Sequence, residues 1–131
     1  NLSMLRYFFE DTGDTVRNAE NRALFDGLQI MDAGKEYTDR MGHYPVISLT
    51  LKSSKQGSFE EAYFQICDAI RVEFGRHRQV LESPKLDALE RERYQLLMEG
   101  RADREIVYTS LKFLTECLYK ATGTRVIILI D

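Results

Sequence analysis

Thr124-Arg125-Val126-Ile127-Ile128-Leu129-Ile130-Asp131 is the stretch on which the fold turns. Successive strand residues point to opposite faces, so an unbroken aliphatic run from Val126 to Ile130 predicts a strand buried on both faces of a parallel sheet. Asp131 then stands at the carboxyl end of that strand, the edge where open α/β sheets place ligands and magnesium-binding carboxylates. Aliphatic residues followed by aspartate form the Walker B pattern, although many buried strands end in an aspartate that only begins a turn.

A parallel strand needs a partner reached through a crossover. The nearest upstream candidate is Tyr44-Pro45-Val46-Ile47-Ser48-Leu49-Thr50-Leu51, rich in β-branched and aliphatic residues, with its proline near the start where a strand tolerates one. Alternation puts Ile47, Leu49 and Leu51 on one face and the less apolar Val46, Ser48 and Thr50 on the other, which is expected to be partly exposed. The fold class that follows is α/β, a small parallel sheet with a right-handed helical crossover.

The segment between the strands reads as helices. Ser58-Phe59-Glu60-Glu61 is a capping box, and Phe59, Tyr63, Ile66, Ile70 and Phe74 recur at helical spacing as far as Gly75. Arg76, His77 and Arg78 follow the helix end, where cations complement its dipole. Ser83-Pro84 predicts the start of a second helix over 84–99, closed by Gly100; its Glu90-Arg91-Glu92-Arg93 marks a solvated face, its apolar stripe is Leu86, Leu89, Leu96 and Leu97, and its place is peripheral. Asp103 caps a third helix carrying Ile106, Ser110, Phe113, Leu114, Cys117 and Leu118, and Gly123 stops it.

Upstream of both strands, Leu2, Leu5, Phe8 and Phe9 form a helical stripe that no capping residue precedes, so this helix is expected to begin before Asn1. Residues 11–43 are polar and broken by glycines, with a short helical candidate over Ala19–Phe25 ended by Gly27. Leu28 and Ile30 are expected to dock on the core, and Asp32 to His43 to form a loop.

With 131 residues and 44% hydrophobic composition the chain has the content of one folded core. Its 18 basic and 21 acidic residues give a net charge of -3, which leaves no electrostatic footprint for nucleic acid or an anionic membrane. The longest aliphatic stretch is far short of the roughly 20 residues a membrane span needs, and the opening residues lack a secretory leader, so the expected location is cytoplasmic. Cys67 and Cys117 lie in separate predicted helices without neighbouring histidines and read as buried free thiols; His43 and His77 are isolated.

The segments NLSMLRYFFE (1–10), ALFDGLQI (23–30), HYPVISLTL (43–51), SFEEAYFQI (58–66) and TGTRVIILID (122–131) resemble, in this order, the bacterial and archaeal AAA-ATPase-like family of predicted P-loop ATPases. The resemblance spans essentially the whole chain. It implies that 1–131 is a partial ATPase domain lying between Walker A and Walker B. The phosphate loop, whose Gly-Lys-Thr stands just before the segment matching Asn1 to Glu10, and the strands after Asp131 are then expected outside it. Family members often carry a restriction-endonuclease-like nuclease domain as well.

The resemblance implies ATP and Mg2+ as cofactors of the intact protein, with Asp131 as the metal ligand acting through bound water, and no catalytic or nucleotide-binding residue within these residues themselves. The chain alone is expected to bind neither cofactor and to be inactive. Arg6, Arg40, Arg101 and Arg125 are candidate phosphate or partner contacts, with solvation or a salt bridge the ordinary role of each. The alternative function is a protein-interaction module using the charged helical segment 84–120; a nuclease part would need a cluster of acidic residues with a lysine, which the sequence does not offer. A sheet missing strands leaves an exposed edge, so a homo-oligomer through that edge is the expected partner.

Overall fold

Backbone pairing confirms the strand reading. In the computed structural model, which describes residues 2–51 and 57–131, β1 (Val46–Leu49) and β2 (Ile127–Ile130) run parallel, in the register Val46↔Ile127 to Leu49↔Ile130. Asn1, with which the first helical segment opens, lies outside the described residues. The ladder includes Ile127 N to Pro45 O (3.0 Å), Asp131 N to Leu49 O (2.9 Å) and Leu51 N to Asp131 O (2.9 Å). Odd-numbered residues of β1 therefore turn their backbone groups toward β2, and even-numbered ones turn theirs outward.

The outward edge of β1 is closed. Tyr44 exchanges backbone bonds with the chain leaving the first helix, α1 (Leu2–Phe9): its amide donates to Phe9 O (2.9 Å) and its carbonyl accepts from Asp11 N (2.8 Å). Further along, Ser48 N donates to Glu73 Oε2 (2.7 Å), and Val46 O accepts from Arg76 Nη2 (2.6 Å) and lies 2.9 Å from His77 Nε2. These side chains belong to the last turn and C-cap of a later helix, so polar side chains do at this edge what a neighbouring strand would do.

β2 departs from expectation. Ile128 is 44% and Ile130 52% exposed, while Val126, Ile127 and Leu129 are partly covered, so the strand is not buried on both faces. The physical reason is one-sided cover: Ile127 and Leu129 share the partly covered face, and alternation turns Ile128 and Ile130 to the other, which is open to solvent. In β1 the faces fall as expected: Ile47 and Leu49 are buried on one, while on the other Val46 is buried, Ser48 partly covered and Thr50 exposed.

Between the strands run α4 (Phe59–Arg76), a 3-10 segment (Arg78–Glu82), α5 (Ala88–Met98), α6 (Arg104–Tyr108) and α7 (Ser110–Thr122), preceded upstream by α2 (Thr15–Ala23) and α3 (Lys35–Thr38). Ser58 caps α4 by accepting from Glu61 N (3.3 Å), as the spacing predicts. Only the second half of its stripe reaches the core: Ile70 and Phe74 are buried, whereas Phe59 is 66% exposed. α5 starts four residues later than Ser83-Pro84 implies, because Asp87 and Glu90 form a complete capping box, the Asp87 side chain accepting from Glu90 N (2.8 Å) and Glu90 Oε1 from Asp87 N (3.0 Å).

Nor is α5 peripheral. Leu89 is 76% exposed, but Tyr94 and Leu97 are buried, and the Tyr94 hydroxyl donates to Phe74 O at 2.6 Å. Tyr94 sits with Phe74, Phe113, Leu114 and Cys117 at the centre of the main core, to which Ile47 of β1 belongs. The predicted third helix is two: Asp103 caps α6 through Ile106 N (3.0 Å), and α7 follows after Thr109, ending at Gly123 in the left-handed conformation (φ 67°) that glycine adopts at least cost. A smaller cluster of Phe8, Phe25 and Met41 anchors the N-terminal segment, with Ile30 partly buried against it. Leu5 and Leu28 are exposed, contrary to the expected packing. α2 begins at Thr15 because Asp14 accepts from the amides of Val16 and Arg17, and residues 32–43 contain the short α3 within the expected loop.

Candidate functional site

Two places on the molecule gather chemistry, at opposite ends of the strands. At the carboxyl end, Asp131 follows β2 directly, with its backbone locked into the ladder at both N–H and C=O and its residue exposed. That is the position a Walker B carboxylate takes, and a hard cation such as Mg2+ is commonly held by one or two carboxylates with water completing the shell. Among the described residues no group of three His, Cys, Asp or Glu could by itself hold a metal ion.

At the amino end a buried charge network holds α1, α4 and β1 together. Arg76 Nη1 donates to Glu10 Oε2 (2.5 Å), while its Nε and Nη2 donate to the two oxygens of Glu73 (2.7 and 2.8 Å). His77 Nε2 lies 3.3 Å from Glu73 Oε2, 2.9 Å from Val46 O and 3.1 Å from Arg76 Nη2, so the ring nitrogen sits inside the same network. Burial opposes ionisation of Glu73, but bonds from Arg76 and His77, the Arg76 charge and the Ser48 amide outweigh it and hold the carboxyl down at about 2. Burial likewise opposes the charge on Arg76, and its two carboxylates reverse the effect and raise its pKa. Each charge here is paired and hydrogen-bonded, the condition for burying one without a prohibitive cost.

The network forms the inner wall of a cleft of about 1080 Å³ that α1 and α2 line on one side and the 3-10 segment and the end of α7 on the other. The sequence reading missed this. Dipole complementarity accounts for Arg76 and His77 in sequence and gives Glu73 no role, yet Ile70, Glu73, Phe74 and His77 share one α4 stripe, and a glutamate among buried positions is the available signal. Of the candidate arginines, Arg6 lines this cleft, Arg101 pairs with Glu99, and Arg40 and Arg125 are exposed. His43 is exposed with its ring edge-on to Tyr44. Both cysteines are free thiols; Cys117 is buried as expected, and burial pushes its thiol up to about 12, while Cys67 is only partly covered.

The fold is thus α/β, mostly helical with a small parallel pair whose carboxyl end presents an aspartate. The family model described as Predicted AAA-ATPase matches residues 1–131, and the chain belongs to this AAA-ATPase-like family. No curated protein and no solved structure matches the chain. Among the described residues no helix is long and apolar enough to cross a membrane.

Proposed function

We propose that this chain is the part of an ATP-binding and ATP-hydrolysing P-loop domain that leads to the Walker B strand, with Asp131 holding Mg2+ through bound water. The observation that carries the reading is the exposed Asp131 at the carboxyl end of a parallel strand, in a chain of the predicted AAA-ATPase family. When bound, Mg2+ neutralises charge on the transferring phosphates. The contribution of the chain's own residues is positional: the Leu49 and Leu51 backbone bonds fix Asp131 in the strand frame, so its carboxylate needs little reorganisation to meet a hydrated metal.

The 131 residues contain no glycine-rich loop running into Lys-Ser or Lys-Thr, so the amide cradle and lysine that grip the phosphates must come from elsewhere in the intact protein. The chain alone is then inactive toward nucleotide. We assign it a second contact as well: a homo-oligomer or a further strand at the β2 edge, supported by the exposed Ile128 and Ile130. Calorimetric titration with MgATP tests the functional reading. No saturable binding is expected for these 131 residues and micromolar binding for the intact domain; micromolar binding by the chain alone would overturn the division of labour.

A further inference from the structure

We propose that the cleft at the amino end of the strands binds a small organic carboxylate, its oxyanion on Arg6 and its apolar body on the wall formed by Leu24, Pro84 and Leu118. The site is distinct from Asp131, which lies at the other end of β2. Arg6 is the key observation. Its Nε is buried with no hydrogen-bond partner, and among the described residues no carboxylate lies within ion-pair distance of its guanidinium, which rests near the Tyr7 ring at 5.1 Å. With no internal acceptor at Nε and no carboxylate partner, the partly buried Arg6 guanidinium is the cation of this wall that is left to receive an oxyanion in the cleft.

Arg76, the other arginine of the inner wall, cannot take that role, since Glu10 and Glu73 already satisfy its charge. Arg17 on the rim, likewise without a carboxylate partner among the described residues, adds a second cation. The walls are held apart in advance: Arg76 ties Glu10 to α4, and Gln79 Nε2 donates to Thr12 O (3.3 Å) across the mouth, so little ordering is needed on binding. Asp11, Glu20 and Glu82 also line the cleft, and they set the ligand's charge. They repel a polyanion such as a nucleotide triphosphate and admit one oxyanion on an apolar body.

The test is a titration of the full chain with hexanoate, followed by NMR at the Arg6 Nε–Hε resonance and the backbone amides of Glu10, Val80 and Leu118. Saturable shifts confined to these groups are expected in the roughly millimolar range that a ligand this small can reach. Arg6→Gln is expected to weaken binding by roughly tenfold or more. Glu20→Gln, at an exposed position that leaves the fold intact, is expected to tighten it by roughly twofold by removing a like charge. Inorganic phosphate is expected to bind more weakly than hexanoate. The proposal fails if hexanoate gives no saturable shift, if the shifts persist in the folded Arg6→Gln chain, if Glu20→Gln has no effect, or if phosphate binds more tightly.

Discussion

Glu73 and Arg76 show how much one residue can carry. The carboxylate closes the β1 edge through Ser48 N and neutralises Arg76, and Arg76 in turn holds Glu10 and Val46 O. Because the folded carboxyl sits at about 2, below its ordinary 4.5, the stability it confers is fully present above pH 4.5 and is lost as pH falls toward 2. That difference is worth about 3 kcal/mol at most. Glu73→Gln is expected to lower stability at pH 7 by a comparable amount and to flatten the acid limb of the curve, which urea unfolding at pH 7 and pH 3 will measure. An unchanged pH dependence in the variant would remove Glu73 from the account. The i,i+3 pairing of Glu73 with Arg76 is local, but their distant partners were not legible, because Glu73 meets Ser48, 25 residues before it, and Arg76 meets Glu10, 66 residues before it.

At the scale of elements, local chemistry spoke clearly where caps were unambiguous. Ser58, Asp103 and Gly123 each bound a helix as their residue types require. It misled where two capping signals competed: Ser83-Pro84 resembles a helix start, but the reciprocal pair Asp87 and Glu90 satisfies more orphan amides, and Glu90 Oε2 additionally takes Lys120 Nζ of α7 at 2.5 Å. The charged run Glu90-Arg91-Glu92-Arg93 then disguised Tyr94, whose ring packs 4.8 Å from that of Phe74 and whose hydroxyl bonds to the Phe74 carbonyl. Tyr94→Phe keeps the ring and removes the donor, leaving a buried carbonyl short of a partner. A loss of about 1–3 kcal/mol in denaturant unfolding is expected. A neutral effect would mean that this bond does not help fasten α5 to α4.

For the whole molecule, the sheet is asymmetric. β1 is closed by the α1 exit and the α4 side chains, whereas β2 presents Ile128 and Ile130 outward, so growth of the sheet is directed to the β2 side. The aliphatic run of β2 made the strand legible in sequence but not its one-sided cover, which depends on what packs above it. Self-association through this edge is expected to rise with concentration in light scattering and to be abolished by Ile128→Lys, since a lysine at an exposed edge opposes strand addition. A chain that stays monomeric at all concentrations would close this route.

The same asymmetry places Asp131 at the carboxyl end of the open strand, and the central claim rests on that carboxylate. Its most direct test is steady-state ATP hydrolysis by the intact protein and its Asp131→Asn variant at saturating Mg2+. The account predicts a fall in turnover of roughly a hundredfold or more with nucleotide binding retained, because the metal's anchor is lost and the phosphate grip is not. Turnover equal to that of the unmodified protein would contradict it.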